Sequence, residues 1–135
     1  MPNWCENYVE IKGPKKILDN IEAIVDEKNN DKEREHGLLN YLRPIPKEEK
    51  ENWYKWTVDN WGTKWDVKEF YSIKRNGDKL CFSFQSAWSP PTEAFDYLFC
   101  NNDDVSIDLK YYEPGTELTG IYNDGEDKRY TLSEA

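Results

Sequence analysis

NGDKLCFSFQ, residues 76–85, is the stretch of sequence that decides the fold. From residue 79 onward, apolar side chains alternate with smaller or polar ones, and this period of two is typical of a half-buried strand. Asn76-Gly77 in front of it is a strong hairpin signal, because a tight hairpin turn needs residues that tolerate a positive φ. The stretch therefore predicts a strand over Lys79–Gln85 that pairs with a strand over Asp66–Lys74.

Two changes of hydrophobic period flank this hairpin. The strand predicted over Cys5–Lys12 alternates between apolar and polar residues and ends at Gly13. Apolar residues then recur at helical spacing and predict a helix over Pro14–Lys28. After the hairpin, Ser89-Pro90 starts a helix predicted over Pro90–Cys100, since a proline in the first helical turn loses no intrahelical hydrogen bond.

The remaining segments complete an α+β pattern within one predicted domain, residues 1–135. Val105–Tyr112 predicts a strand, and a C-terminal hairpin at 116–132 pairs Leu118–Tyr122 with Lys128–Leu132. A helical insert at 31–65 precedes the first hairpin, with its main helix running from residue 47 to residue 61. The order β-α-insert-β-β-α-β predicts a ferredoxin-like split β-α-β antiparallel sheet with helices on one face. The other face is expected to be open or covered by the insert.

Composition and charge narrow the classes of function. The 135 residues carry a net charge of −9 and a mean hydropathy of −0.99, and no stretch approaches the length of a spanning helix. We therefore expect a soluble, cytosolic protein that contacts no membrane. Residues 96–135 hold ten acids and three bases. That imbalance disfavours duplex nucleic acid and suits a partner protein with a basic surface, although acidic residues also serve solubility alone.

The sequence offers no evident catalytic or metal-binding set. Cys5, Cys81 and Cys100 are an odd number without CxxC spacing, and their apolar surroundings predict buried, reduced thiols. The single histidine, His36, lies in a charged stretch, which excludes zinc motifs built on two histidines. We accordingly predict a protein without enzyme activity, cofactor or metal.

Four blocks of sequence resemble the YubB-like family, a ferredoxin-like domain of unknown function carried by phages and plasmids. They are Met1-Pro2-Asn3-Trp4-Cys5-Glu6-Asn7, Asn60-Trp61-Gly62-Thr63-Lys64-Trp65-Asp66, Ser86-Ala87-Trp88-Ser89-Pro90-Pro91, and Tyr112-Glu113-Pro114-Gly115 followed by Gly120. The resemblance implies a ferredoxin-like core and an origin in a mobile element, and therefore a location in the host bacterial cytoplasm. It implies no catalytic residue.

Two groups of residues are candidates for a binding site. The first is an acidic face, expected along one edge of the sheet, that would bind the partner. It comprises Asp103, Asp104, Asp108, Glu117, Asp124, Glu126 and Asp127. The second is a pair of tryptophan-rich loops, which either form one exposed site or seal the second face of the sheet. It comprises Asn60, Trp61, Thr63, Lys64, Trp65, Ser86 and Trp88.

These features favour a non-enzymatic, protein-binding accessory protein of a phage or plasmid. An acidic strip that mimics phosphate charge suggests an inhibitor of a host defence nuclease, of the anti-CRISPR kind. The alternatives are a module that binds a ligand or single-stranded nucleic acid through the tryptophan-rich loops, and an enzyme of unrecognised type.

Overall fold

The computed structural model describes residues 3–26 and 36–131. Six strands and four α-helices follow one another along them. They are β1 Trp4–Lys12, α1 Lys15–Val25, α2 Leu38–Leu42, α3 Trp53–Trp61, β2 Tyr71–Asn76, β3 Lys79–Ala87, α4 Thr92–Cys100, β4 Ser106–Glu113, β5 Leu118–Asn123 and β6 Glu126–Thr131. A short 3₁₀ turn at Lys47–Glu49 precedes α3.

The strands form one antiparallel sheet in the order β2-β3-β1-β4-β5-β6. Strand β1 lies at the centre and pairs with β3 over its full length, from Trp4 opposite Ala87 to Lys12 opposite Lys79. The first four strands and helices α1 and α4 confirm the predicted ferredoxin-like arrangement. The C-terminal hairpin extends the sheet beyond β4, as predicted.

One face of the sheet carries the helices and the core. In β1, Cys5, Asn7, Val9 and Ile11 are buried on this side, and Glu6, Tyr8 and Glu10 point to the opposite face. The rings of Phe82, Phe84 and Phe95 fill its centre without any exposure, and α1 adds Leu18, Ile21 and Val25. Interior packing of this kind supplies most of the stability of the domain.

The insert packs on the same side as the helices. The buried side chains of Leu38, Leu39, Leu42 and Trp61 join the core, and α2 and α3 both contact α4. The opposite face of the sheet therefore remains uncovered among the described residues. The sequence predicted that this face would be either open or covered by the insert, and in the described part of the chain it is open.

The strand predicted over Asp66–Lys74 is wrong in its first half. Residues 66–70 form no strand, and the Asp66 carboxylate and the Val67 carbonyl bind the start of α2 instead. The Asp66 carboxylate accepts from the backbone N–H groups of Gly37 at 2.7 Å and Leu39 at 2.8 Å. The β2 strand begins only at Tyr71, and an irregularity in its pairing follows where Ser72 has a φ of 54°.

Several boundaries also differ from the prediction. Helix α3 begins at Trp53 rather than residue 47, although Gly62 ends it with the expected left-handed φ of 90°. Helix α1 ends at Val25, and the last two residues predicted for it lie outside the described residues. Strand β6 begins at Glu126, and Leu132 lies outside the described residues. Cys100 is exposed at the end of α4, whereas Cys5 and Cys81 are buried as predicted.

We expect Ile21→Ala to lower the free energy of unfolding by about 2–5 kcal/mol, because Ile21 is 1% exposed at the centre of the buried stripe of α1. Chemical denaturation measures the change. Asn20→Ala, at the neighbouring exposed position, is the control and should change stability by less than about 0.5 kcal/mol. Equal effects of the two substitutions would contradict the helix orientation.

Candidate functional site

The two tryptophan-rich loops are joined into one unit. The Thr63 hydroxyl donates to the Ala87 carbonyl at 2.7 Å, and the Ser89 hydroxyl donates to the Gly62 carbonyl. Gly62 is required at this junction, since its φ is 90° and a Cβ there would lie 3.0 Å from the Pro90 carbonyl oxygen. The loop after α3 and the turn after β3 therefore act as one scaffold, as one of the two sequence interpretations holds.

Trp88 has a strained backbone within this scaffold. Its φ of 63° lies in the left-handed region, which costs a residue with a Cβ about 1–2 kcal/mol. The Trp88 N–H donates to the Asn3 carbonyl at 2.7 Å, and the Ser86 hydroxyl donates to the Ser89 carbonyl at 2.7 Å. These bonds fix an indole ring that is 42% exposed. Strain of this kind is characteristic of functional sites.

The exposed rings surround a lysine. We call the group Trp4, Tyr54, Lys64, Trp65 and Trp88 the tryptophan corner. The Trp65 ring lies between those of Trp4 and Trp88, at centroid distances of 6.3 and 5.7 Å. The Lys64 Nζ lies 4.6 Å from the Tyr54 ring centroid, 5.2 Å from that of Trp65 and 5.6 Å from that of Trp88. Each distance is within the range of a cation–π contact.

Trp61 and Trp56 belong to the core and its margin, whereas Trp53 is exposed at the start of α3. Trp61 is buried and its indole N–H donates to the Arg43 carbonyl at 2.9 Å, while Trp56 packs edge-on against it. Asn60 donates to the Trp56 carbonyl within α3. Asn60 and Trp61 are thus structural members of the predicted loop set, and so is the buried Ser86. The tryptophans do not seal the second face of the sheet.

The open face carries tyrosines that the sequence reasoning missed. Tyr8, Tyr71, Tyr112, Tyr130 and Ile121 line a depression of about 530 Å³, and each is between 40% and 45% exposed. We call these five residues the tyrosine face. The alternation along β1 and β4 contained the signal, because the tyrosines occupy outward positions where a solvated strand normally carries polar residues.

Two pairs of polar side chains lie on the open face. The Tyr71 hydroxyl donates to Glu6 at 2.5 Å, and burial together with this carboxylate raises the pKa of Tyr71 to about 12. Glu10 and Lys79 form an ion pair at 2.7 Å, and the hydrogen bond from Lys79 lowers the pKa of Glu10. Lys110 lies beside the depression, next to Tyr8 across the β1–β4 ladder.

The predicted acidic residues do not share one face. Asp103, Asp104, Asp124 and Glu126 lie at the end of the sheet where β4 begins, and we call them the acidic end. There Asp124 accepts from the Ile107 N–H at 2.6 Å and from the Ser106 hydroxyl at 2.9 Å.

The other three predicted acids lie elsewhere. Glu117 occupies the turn at the opposite end of β5. Asp127 accepts from the Tyr111 hydroxyl on the helix side and pairs with Arg129 at 3.2 Å. Asp108 lies on the open face opposite Glu10.

A buried carboxylate anchors the turn after β4. Glu113 is 1% exposed and accepts from the N–H groups of Gly115 and Thr116, both at 2.7 Å, and from the Thr116 hydroxyl. Burial raises the pKa of Glu113, but the Thr116 and Gly115 donors outweigh it and hold the pKa below its ordinary value. Glu113 thus holds the Glu113-Pro114-Gly115 turn in place, and its carboxylate is too buried to contact a ligand.

Residues 3–26 and 36–131 contain neither a metal-binding cluster nor a membrane-spanning helix. No group of three or more histidine, cysteine, aspartate or glutamate side chains there could hold a metal ion. No helix in those ranges is long and apolar enough to span a membrane.

Comparisons with known proteins identify a fold family. A family model described as "Ferredoxin-like domain in Api92-like protein" matches residues 60–135. The crystal structure of protein api92 from Yersinia pseudotuberculosis is similar, with a TM-score of 0.59 and 12% sequence identity over 98% of this chain and 99% of that chain. At this identity the likeness shows the fold alone. A search of curated proteins finds no match. The findings address neither the YubB-like name nor an origin in phages or plasmids.

We expect Glu113→Gln to lower the free energy of unfolding at neutral pH by about 1–3 kcal/mol, since the neutral amide replaces a carboxylate bound by three donors. The folded-state pKa is below the ordinary value of 4.5, so the stabilisation is present above pH 4.5 and is lost as the pH falls through the folded pKa. The variant and the wild-type protein should therefore converge in acid.

Denaturation across a pH series measures this difference, and Glu117→Gln on the same exposed turn is the control. A difference in stability between the wild-type protein and the Glu113→Gln variant that stays constant down to low pH would contradict the assignment.

Proposed function

We propose a protein-recognition function for this chain, which belongs to the family of ferredoxin-like domains in Api92-like proteins. The domain acts without catalysis and binds a basic segment of a partner protein on its open sheet face. The observation that carries this proposal is the tyrosine face, five large side chains exposed together on a sheet face that the helices leave uncovered.

The tyrosine face has the composition of a protein interface. Tyrosine and tryptophan supply much contact area at a small loss of conformational freedom, and they dominate the residues whose removal weakens protein complexes. Across the ladder, Tyr112, Thr119 and Tyr130 form one row, and Tyr8, Lys110 and Ile121 form the next. The two rows give a partner a flat surface with apolar rings and a few polar groups between them.

The negative charge of the protein favours a partner with a basic surface. The chain has a net charge of −9, and the acidic end lies where β4 and the β5–β6 turn meet the edge of the open face. Asp108 lies on that face opposite Glu10, which is paired with Lys79. The buried Oδ1 of Asp108 has no hydrogen-bond partner among the described residues. Lysine or arginine side chains of a partner would offset this concentration of carboxylates and accelerate association.

The acidic charge of the protein also suits one class of target, the nucleases. A nuclease that holds its nucleic acid in a basic channel presents the charge that this acidic protein would attract, so we propose inhibition of such a host enzyme by a protein carried on a phage or plasmid. Support for this step comes from charge and from the YubB-like sequence blocks rather than from the geometry of a site.

Selection of twelve-residue peptides displayed on phage against the immobilised protein tests the recognition function. We expect selected peptides to combine aromatic residues with lysine or arginine and to bind less tightly at high salt. A Tyr8→Ser, Tyr112→Ser double variant should weaken their binding by at least about tenfold. Tyr41→Ser is the control, because Tyr41 is exposed on α2, away from the sheet face.

Two results would contradict the proposal. One is binding of the selected peptides that the double variant leaves unchanged while thermal denaturation shows both proteins folded. The other is tighter binding of a single-stranded oligonucleotide such as dodecathymidylate than of any selected peptide, because open sheets with aromatic side chains also stack nucleobases.

A further inference from the structure

A cavity of about 350 Å³ lies beside the tryptophan corner, on the side of the insert and separate from the tyrosine face. Its walls come from the start of α2, from α3 and from the loop that follows α3. The lining includes two tryptophans, Trp53 and Trp65, two lysines, Lys64 and Lys68, and His36. Asn40 and Thr57 add polar atoms to the lining.

The acid that lines this cavity is already engaged. Asp66 Oδ1 accepts from the N–H groups of Leu39 and Val67, both at 2.8 Å. Asp66 Oδ2 accepts from those of Gly37 at 2.7 Å and Asn40 at 3.3 Å. Four backbone dipoles thus face this carboxylate, while two lysines and a histidine share the lining with it. The described lining therefore carries the ammonium groups of Lys64 and Lys68 and one carboxylate whose oxygens already accept backbone hydrogen bonds.

Lys64 is placed to meet an anion. Its ammonium lies over the rings of Tyr54, Trp65 and Trp88, and among the described residues it forms no ion pair with a carboxylate. Contacts with ring faces stabilise the charge of an ammonium but do not replace hydrogen-bond acceptors for its N–H groups. An anionic ligand would supply those acceptors.

The aromatic walls fit a flat ring. Trp65 is 39% exposed and Trp53 is 40% exposed, although both line the cavity. Exposed indole faces bind planar rings by stacking, which contributes about 1–3 kcal/mol for a nucleobase. The hydrogen bonds from the Thr63 hydroxyl to the Ala87 carbonyl and from the Ser89 hydroxyl to the Gly62 carbonyl hold the loop that carries Lys64 and Trp65. The wall and the cation are therefore positioned together.

We propose that this cavity binds a small ligand in which a flat aromatic ring is joined to an anionic group, of the nucleoside monophosphate class. The ring would stack on the tryptophans while the phosphate meets Lys64. The volume is at the lower end of the range of roughly 300–1,000 Å³ found for ligand pockets, which suits one ring and one anionic group. Both a free nucleotide and the 5′-phosphorylated end of a nucleic-acid strand contain an aromatic ring joined to a phosphate.

Isothermal titration calorimetry of the full chain with adenosine monophosphate tests the proposal. We expect binding of the nucleotide, and binding weaker by at least about tenfold for adenosine and for inorganic phosphate, because each presents only half of the ligand. Titration of 5′-phosphorylated hexathymidylate shows whether the ligand is a free nucleotide or the end of a nucleic-acid strand. Tighter binding than that of the mononucleotide identifies a strand end, and equal or weaker binding identifies a free nucleotide.

Substitutions locate the site. Lys64→Gln should weaken nucleotide binding by about tenfold and leave adenosine binding unchanged, whereas Trp65→Leu should weaken both. Lys55→Gln is the matched control, because Lys55 is exposed on α3 and does not line the cavity. Lys68→Gln replaces Lys64→Gln if thermal denaturation shows the latter to be unfolded.

Three results would overturn the proposal. They are no binding of the nucleotide at millimolar concentration, equal affinity for adenosine and its monophosphate, and equal effects of Lys64→Gln and Lys55→Gln. None of them bears on the peptide selection, since the tyrosine face shares no residue with the cavity.

Discussion

The Asp66 carboxylate determines where the insert lies, and the exposed surfaces depend on it. It accepts from four backbone N–H groups, three of them at the start of α2, and the Leu38 N–H donates to the Val67 carbonyl at 2.9 Å. These bonds hold α2 and α3 in the helix layer against α4. Gly37 is needed at the junction, because a Cβ there would lie 2.1 Å from the Val67 carbonyl oxygen. With the insert on the helix side, none of the residues that the structure describes covers the opposite sheet face.

Two binding surfaces follow from this placement. The open sheet face presents the tyrosine face, and the insert side presents the cavity beside the tryptophan corner. The residues between them are fixed by paired groups, notably Glu6, which accepts from Tyr71 and Gln85. A protein segment on the sheet and a small anion in the cavity would therefore occupy separate regions. The acidic residues of the C-terminal part are divided: four form the acidic end, Asp127 pairs with Arg129, and Glu113 is buried in the turn after β4.

Local patterns predicted most of the fold, and long-range contacts account for the errors. The period changes at Gly13 and Ser89 were sufficient for β1, β3, α1 and α4, because each element there follows its own hydrophobic pattern. Residues 66–70 were predicted as a strand because their apolar side chains are typical of one. The prediction failed because the Asp66 carboxylate binds the start of α2, which is far away along the chain. The joined tryptophan loops were one of two interpretations. The tyrosine face was missed, since exposure depends on where the insert packs.

The central claim is that the open sheet face is the surface that contacts a partner protein. A photoreactive benzoylphenylalanine placed at position 112, and separately at position 41 as the control, tests it in bacteria that produce the protein. Both positions hold exposed tyrosines, one on the sheet face and one on α2. We predict that irradiation links position 112, and not position 41, to another protein. Crosslinks from position 41 alone, crosslinks to nucleic acid from position 112, or none from either position would contradict the claim.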